Sequence, residues 1–240
     1  MAILWMAQLR TRNAGIVDIG WAATLGALAV LCAAMTPGLP ARRALLAALV
    51  CLWSARLTFY LFRRVIGAPE DARYSALRRR WGDAQDRNFF WLFQAQALIN
   101  VFLSVPFLIV CSDAHPTLGL REALGAGILI LSVIGESAAD RELAGFRADP
   151  SNKGRTCRKG LWRYSRHPNY FFEWLHWWAY VVMAAGASGW PWTLVGPIVM
   201  GVFLLKVTGI PATEAHAAAS RSDYRDYQRS TSAFIPWFPK

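Results

Sequence analysis

The stretch REALGAGILILSVIGESAADR, residues 121–141, decides the fold. From Ala123 to Gly135 it carries no charge, and its only acids beyond that point are Glu136 and Asp140. An α-helix rises ~1.5 Å per residue, so about twenty such residues cross ~30 Å of hydrocarbon. Working outward, five further stretches share this character: 15–36, 43–63, 89–111, 169–187 and 191–210. With 55% apolar residues, 12 tryptophans and 17% charge, the chain lacks the polar surface to cover a soluble core. The sequence therefore predicts an all-α, polytopic membrane bundle of six transmembrane helices, with cytoplasmic loops capping a cavity. Residues 1–12 hold a short apolar patch before Arg10 and Arg12, the stub of a seventh helix or an interfacial segment, and no signal peptide.

The net charge of +11 invites a nucleic-acid reading, yet no soluble basic domain remains to carry one. Six spans put the N-terminus, the 64–88 loop, the 142–168 loop and the C-terminal tail on one side. That side holds 22 of the 26 lysines and arginines, the opposite turns hold Arg42, Arg43 and Arg121, and Arg56 lies within a span. The positive-inside rule places both termini and both long loops in the cytoplasm. An integral protein of the bacterial inner membrane, contacting lipid, monomeric and without a nucleic-acid partner, is expected. Cys32, Cys51, Cys111 and Cys157 form no C-x-x-C pair, so neither a disulfide framework nor a metal site is expected.

An ionisable group inside a span costs on the order of 2.5–3.5 kcal/mol, so each needs a partner, water or a task. Here Asp18, Arg56, Glu136, Asp140, Glu173 and His176 gather mostly toward the cytoplasmic halves. Glu136 and Asp140 share a helix face, and Arg147 returns to it if the helix continues. Asn169, Glu173, His176 and Tyr180 form a second stripe at i, i+4, i+7 and i+11. Interhelical hydrogen bonds would account for any one of them; the set describes a polar cavity. Between the stripes lies KGRTCRKG at 153–160, followed by LWRYSRHPNY at 161–170, whose arginines suit an anionic cofactor. In the 64–88 loop, Arg78-Arg79-Arg80 reads as a solvated or headgroup-facing helix face, and Glu70-Asp71-Ala72-Arg73-Tyr74 stands at the mouth of the bundle.

The segment GLWRYSRHPNYFFE at 160–173, with Asp140 and Arg147 before it and the ending YRDYQRSTSAFIPWFP at 224–239, resembles the steroid 5-alpha-reductase family, above all its bacterial members. The resemblance is strong over 136–240 and thinner over the first hundred residues. It implies one membrane reductase domain over 1–240, with substrate-side helices in 1–120 and an NADPH-binding part in 121–240. It also implies reduction of a lipophilic enone, such as a 3-oxo-4-ene steroid, by hydride transfer from NADPH to the beta carbon. Asp140, Arg147, Arg155, Arg166, His167, Asn169, Glu173 and His216 are the implied cofactor residues. Asp18 stands where the animal enzymes carry a glutamate that polarises the ketone. Their tyrosine has no match in the stretch Leu52–Arg56, which leaves Tyr60 and Tyr74 as candidates. Ser220 replaces a C-terminal tyrosine of the family.

Arg166-His-Pro-x-Tyr170 also resembles membrane methyltransferases of the isoprenylcysteine carboxyl type, which use S-adenosylmethionine. Those carry paired glutamates near the tail, where this chain has Glu214 alone. A transporter or assembly factor is the third reading, but the outer span halves, such as 22–35 and 123–134, offer no polar path.

Overall fold

The computed structural model describes residues 1–207 and 209–240. It is helical throughout, with no strand among the described residues. Two compact units divide the chain, Met1–Gly119 with Ala184–Val195, and Leu120–Met183 with Gly196–Lys240.

The first unit opens with α1 (Ala2–Thr11), ten residues long and thus too short to cross a bilayer. It ends where Arg12 turns left-handed (φ 51°), and Trp5 Nε1 donates to the Asp86 carbonyl at 2.8 Å. Next come α2 (Ile16–Met35), α3 (Pro40–Val65), α4 (Ala72–Trp81), α5 (Gln85–Leu103) and α6 (Val105–Ser112). The α2–α3 pair packs closely through small residues. Ser54 Oγ donates to the Ala22 carbonyl at 2.8 Å, and a Cβ on Gly26 would lie 2.5 Å from that hydroxyl. Asn100 in α5 donates to the Trp21 carbonyl at 3.1 Å. Arg42, expected on the turn between the first two spans, lies there and is wholly buried: its guanidinium donates to the carbonyls of Asp113, His115 and Thr117 at 2.9, 3.1 and 2.8 Å. Desolvating a cation requires such partners, and here they organise the turn after α6.

In the second unit α7 (Leu120–Ala148) packs along α8 (Pro168–Met183), followed by α9 (Val195–Val202), a π-helical turn at Phe203–Val207, α10 (Ile210–Ser220) and α11 (Tyr224–Ser230). Gly125 and Gly135 make the α7–α8 approach possible, since a Cβ on Gly135 would meet the Phe172 ring at 2.4 Å. The basic 153–166 loop docks on α7 through Trp162 Nε1, which donates to the Ala139 carbonyl at 2.9 Å. Gly160 is obligatory there: its φ is +56°, and a Cβ would stand 2.2 Å from the Glu142 carboxylate, which accepts from the Leu161 amide at 2.8 Å.

Among the described residues, five helical stretches are long and apolar enough to cross a membrane: Ile16–Met35, Pro40–Val65, Ala72–Ser112, Leu120–Ala148 and Trp190–Ser220. The predicted span at 169–187 corresponds to α8, which at 16 residues reaches only ~24 Å before the turn at Gly186. The chain is an all-α, polytopic integral membrane protein.

Candidate functional site

Among the described residues, the polar chemistry concentrates in one cluster of the first unit and two of the second. In the first, the corner between α1 and α2 is set by Asn13, whose Oδ1 accepts from the Gly15 amide at 3.0 Å while its Nδ2 donates to the Val65 and Ala68 carbonyls at 3.3 and 3.2 Å. This fixes the first turn of α2, where Asp18 stands. Opposite it, Asp71 caps α4, accepting from the Arg73 amide and Nε, each at 3.0 Å. The cap presents two consecutive side chains to Asp18. The Tyr74 hydroxyl donates to Oδ1 at 2.6 Å, and the Arg73 guanidinium donates to Oδ2 at 3.3 Å. Tyr74 is 6% exposed.

Beside this triad lies a cavity of about 240 Å³ lined by Asn13, Asp18, Arg64, Asp71 and Arg73. Burial pushes the Asp71 carboxyl upward, but Arg73, its hydrogen bonds and Arg64 hold it below its ordinary 3.8. Tyr60, the other tyrosine expected near the ketone, lies under Arg56, whose guanidinium is 5.4 Å from its ring centre. Arg78 departs from the solvated face read from the arginine run. It turns inward to the Glu70 carboxylate at 2.8 Å and to Gln85 at 2.9 Å, leaving Arg79 and Arg80 outside.

In the second unit the two predicted stripes meet. Asn169 Nδ2 donates to Asp140 Oδ1 at 3.3 Å, with Glu136, Asp140 and Glu173 all buried. One turn deeper, His176 Nδ1 donates to the Glu173 carbonyl at 2.6 Å, and the His176 ring meets the buried Tyr180 edge-on. Arg147, Arg155 and His216 are exposed.

Arg166 and His167 lie elsewhere, in a cluster that spacing alone did not reveal. Arg166 Nε donates to Glu214 at 2.6 Å, and its terminal nitrogen donates to the Gln228 and Thr231 carbonyls at 2.9 and 2.5 Å. His167 Nε2 is 3.2 Å from the same carboxylate, and Gln228 donates to its other oxygen at 2.8 Å. Glu214 is thus shared by three partners and ties the loop to the tail. A second tie is Asp223, which accepts from the Thr156 hydroxyl at 2.6 Å and the Thr156 amide at 3.0 Å. In the sequence Glu214 stands out as the single acid of the Ile210–Ala219 stretch and through the methyltransferase resemblance, but neither signal pairs it with Arg166 and His167.

Comparison with known proteins adds kinship without a function. The chain is 25% identical to an uncharacterised protein, C594.04c, of the fission yeast Schizosaccharomyces pombe, over 98% of this chain and 76% of that one. No solved structure matches it. Residues 4–231 match the family described as a protein of unknown function, DUF1295. Because that match takes in nearly the whole chain, the protein belongs to the DUF1295 family.

Proposed function

We propose that this protein is an NADPH-dependent membrane reductase that saturates the double bond of a lipophilic enone, a 3-oxo-4-ene steroid or a sterol, polyprenoid or fatty-chain counterpart. The observation that carries the reading is the Tyr74–Asp18 hydrogen bond of 2.6 Å, with Arg73 on the other carboxylate oxygen. When bound, NADPH would supply a hydride to the beta carbon of such a substrate. The electron pair of the double bond then moves toward the ketone oxygen, and a proton from water closes the alpha carbon.

The chain's part is to hold that oxygen. The phenol's single proton lies on the Asp18 contact, so the pair can serve the ketone only with a shared proton. A protonated Asp18 would donate to the phenol oxygen and free the phenol proton for the substrate oxygen as it becomes an enolate, with Arg73 beside the pair. On the cofactor side, the Asn169 amide and the Asp140 and Glu173 carboxylates have the donor and acceptor types that a carboxamide and ribose hydroxyls require. Arg147 and Arg155 suit phosphates. Arg166 and His167 hold the loop through Glu214. Basic loops facing the cytoplasm agree with a cofactor taken from that compartment.

The Arg166–His167–Glu214 cluster is what keeps methyl transfer from S-adenosylmethionine as the competing reading. Titrating purified protein in lipid nanodiscs with each cofactor separates the two. The reductase reading expects NADPH binding at about micromolar Kd, ~8 kcal/mol, and none for S-adenosylmethionine. The reverse result would sink it.

A further inference from the structure

We propose that the C-terminal segment 234–238 is a fixed anchor seated in the bilayer interface beside the entry of α8, its partner being glycerophospholipid headgroups and the first methylenes beneath them. Ile235, Trp237 and Phe238 are 58, 70 and 75% exposed, although they lie outside every membrane-crossing helix. Their backbone is pinned. Ser165 Oγ donates to the Phe234 carbonyl at 2.8 Å, the Trp237 amide donates to the Tyr164 carbonyl at 2.9 Å, and the Lys240 amide donates to the Ser230 carbonyl at 2.9 Å.

Depth is set by Phe234, the buried member of the run. Its ring centre lies 6.0 Å from that of Phe171 and 5.6 Å from that of Trp174. Those are the fourth and seventh residues of α8, ~5 to 9 Å along the helix from Pro168. Between those two residues, Phe172 packs on Gly135, where the uncharged run of the membrane-crossing α7 ends. A segment locked at that level therefore stands at the water–lipid boundary, where tryptophan and its amphipathic ring are favoured. The exposed Arg163 and Lys240 flank it with positive charge, complementary to lipid phosphates. The tail in turn grips the 153–166 loop through Asp223 and Thr156 and through the Tyr227 hydroxyl on the Trp162 carbonyl. The anchor therefore fixes the height of that loop above the bilayer. None of this depends on the reductase reading.

The test is an environment-sensitive fluorescent amino acid placed at position 237 of the full chain, and at exposed position 229 for comparison, in phosphatidylcholine–phosphatidylglycerol nanodiscs. Expected at 237 is blue-shifted emission, quenched by lipid carrying a doxyl label near the headgroup about twofold or more beyond the quenching at 229. Water-like emission quenched by aqueous iodide would overturn the proposal. So would protection at 237 that ignores doxyl lipid and disappears when nanodiscs hold a single copy, since a second chain would then cover the segment.

Discussion

A buried phenol held 2.6 Å from a carboxylate, with a guanidinium on the carboxylate's far oxygen, has lost its rotational freedom before any substrate arrives. That preorganisation is what the reductase account draws on at the residue scale. Tyr74→Phe and Asp18→Asn should each lower kcat by about 10²-fold or more, the size of a general acid's contribution, with NADPH affinity unchanged. Tyr60→Phe, on a ring that faces Arg56, should cost less than Tyr74→Phe. Equal losses would move the polarising role away from Tyr74. Removing Glu173's charge with Glu173→Gln, or Arg147 with Arg147→Ala, should weaken NADPH binding by ~10-fold or more, as expected for ~1.5–3 kcal/mol charge-assisted bonds. Unchanged affinity in both would leave the α7 and α8 stripes a structural role.

The tail clamp has its own pH signature. Burial pushes the Asp223 carboxyl upward, but the Thr156 hydroxyl and amide and then Arg158 outweigh it and hold it below 3.8. A folded-state pKa below the unfolded one means the carboxylate stabilises at every pH above 3.8 and loses that contribution as pH falls through the lowered value. The melting-temperature gap between wild type and Asp223→Asn should be flat from neutral pH down to about 3.8 and shrink as pH falls from there through the lowered value. A gap that narrows near neutrality would refute the clamp.

Helix pairing through small residues carries the second unit, so its elements should break where a side chain is forced between them. Gly135→Leu drives a branched chain into the Phe172 ring and should destabilise by ~1–3 kcal/mol, read as a lowered melting temperature in detergent. Gly160→Ala meets both a left-handed backbone and the Glu142 carboxylate, and should loosen the loop's hold on α7. At this scale much was legible in the sequence. The Glu136/Asp140 and Asn169/Glu173/His176 stripes were visible because helical periodicity is local, and Asp140 and Asn169 do meet. The run from Glu70 to Tyr74 showed its unusual chemistry, but not that the Asp71 cap would aim Arg73 and Tyr74 at Asp18, 55 and 56 residues away. Glu214 and Arg166 are 48 residues apart, with no periodicity linking them. Nothing local in the sequence announces the three carbonyls that bury Arg42 on its turn.

For the whole molecule, the basic residues are the guide to orientation: six spans would put 22 of the 26 lysines and arginines on the side of the long loops and tail, which the positive-inside rule assigns to the cytoplasm. A reporter fused after Lys240 that fluoresces only in the cytoplasm should be bright, and a dark fusion of an intact protein would invert the topology. On the proposed reading, that orientation would give the Arg147 and Arg155 loops access to a cytoplasmic dinucleotide. It leaves a lipophilic substrate to arrive through the membrane, where an enone ketone would find Tyr74. The central claim is hydride transfer, and isotope tracing reads it most directly. Purified protein in nanodiscs would receive NADPH deuterated at the transferable position together with a 3-oxo-4-ene steroid, and the products would be analysed by mass spectrometry. The account predicts a saturated ketone carrying one deuterium on the former beta carbon, lost in Tyr74→Phe. A steroid recovered unreduced, from protein that neither binds nor oxidises NADPH, would contradict it.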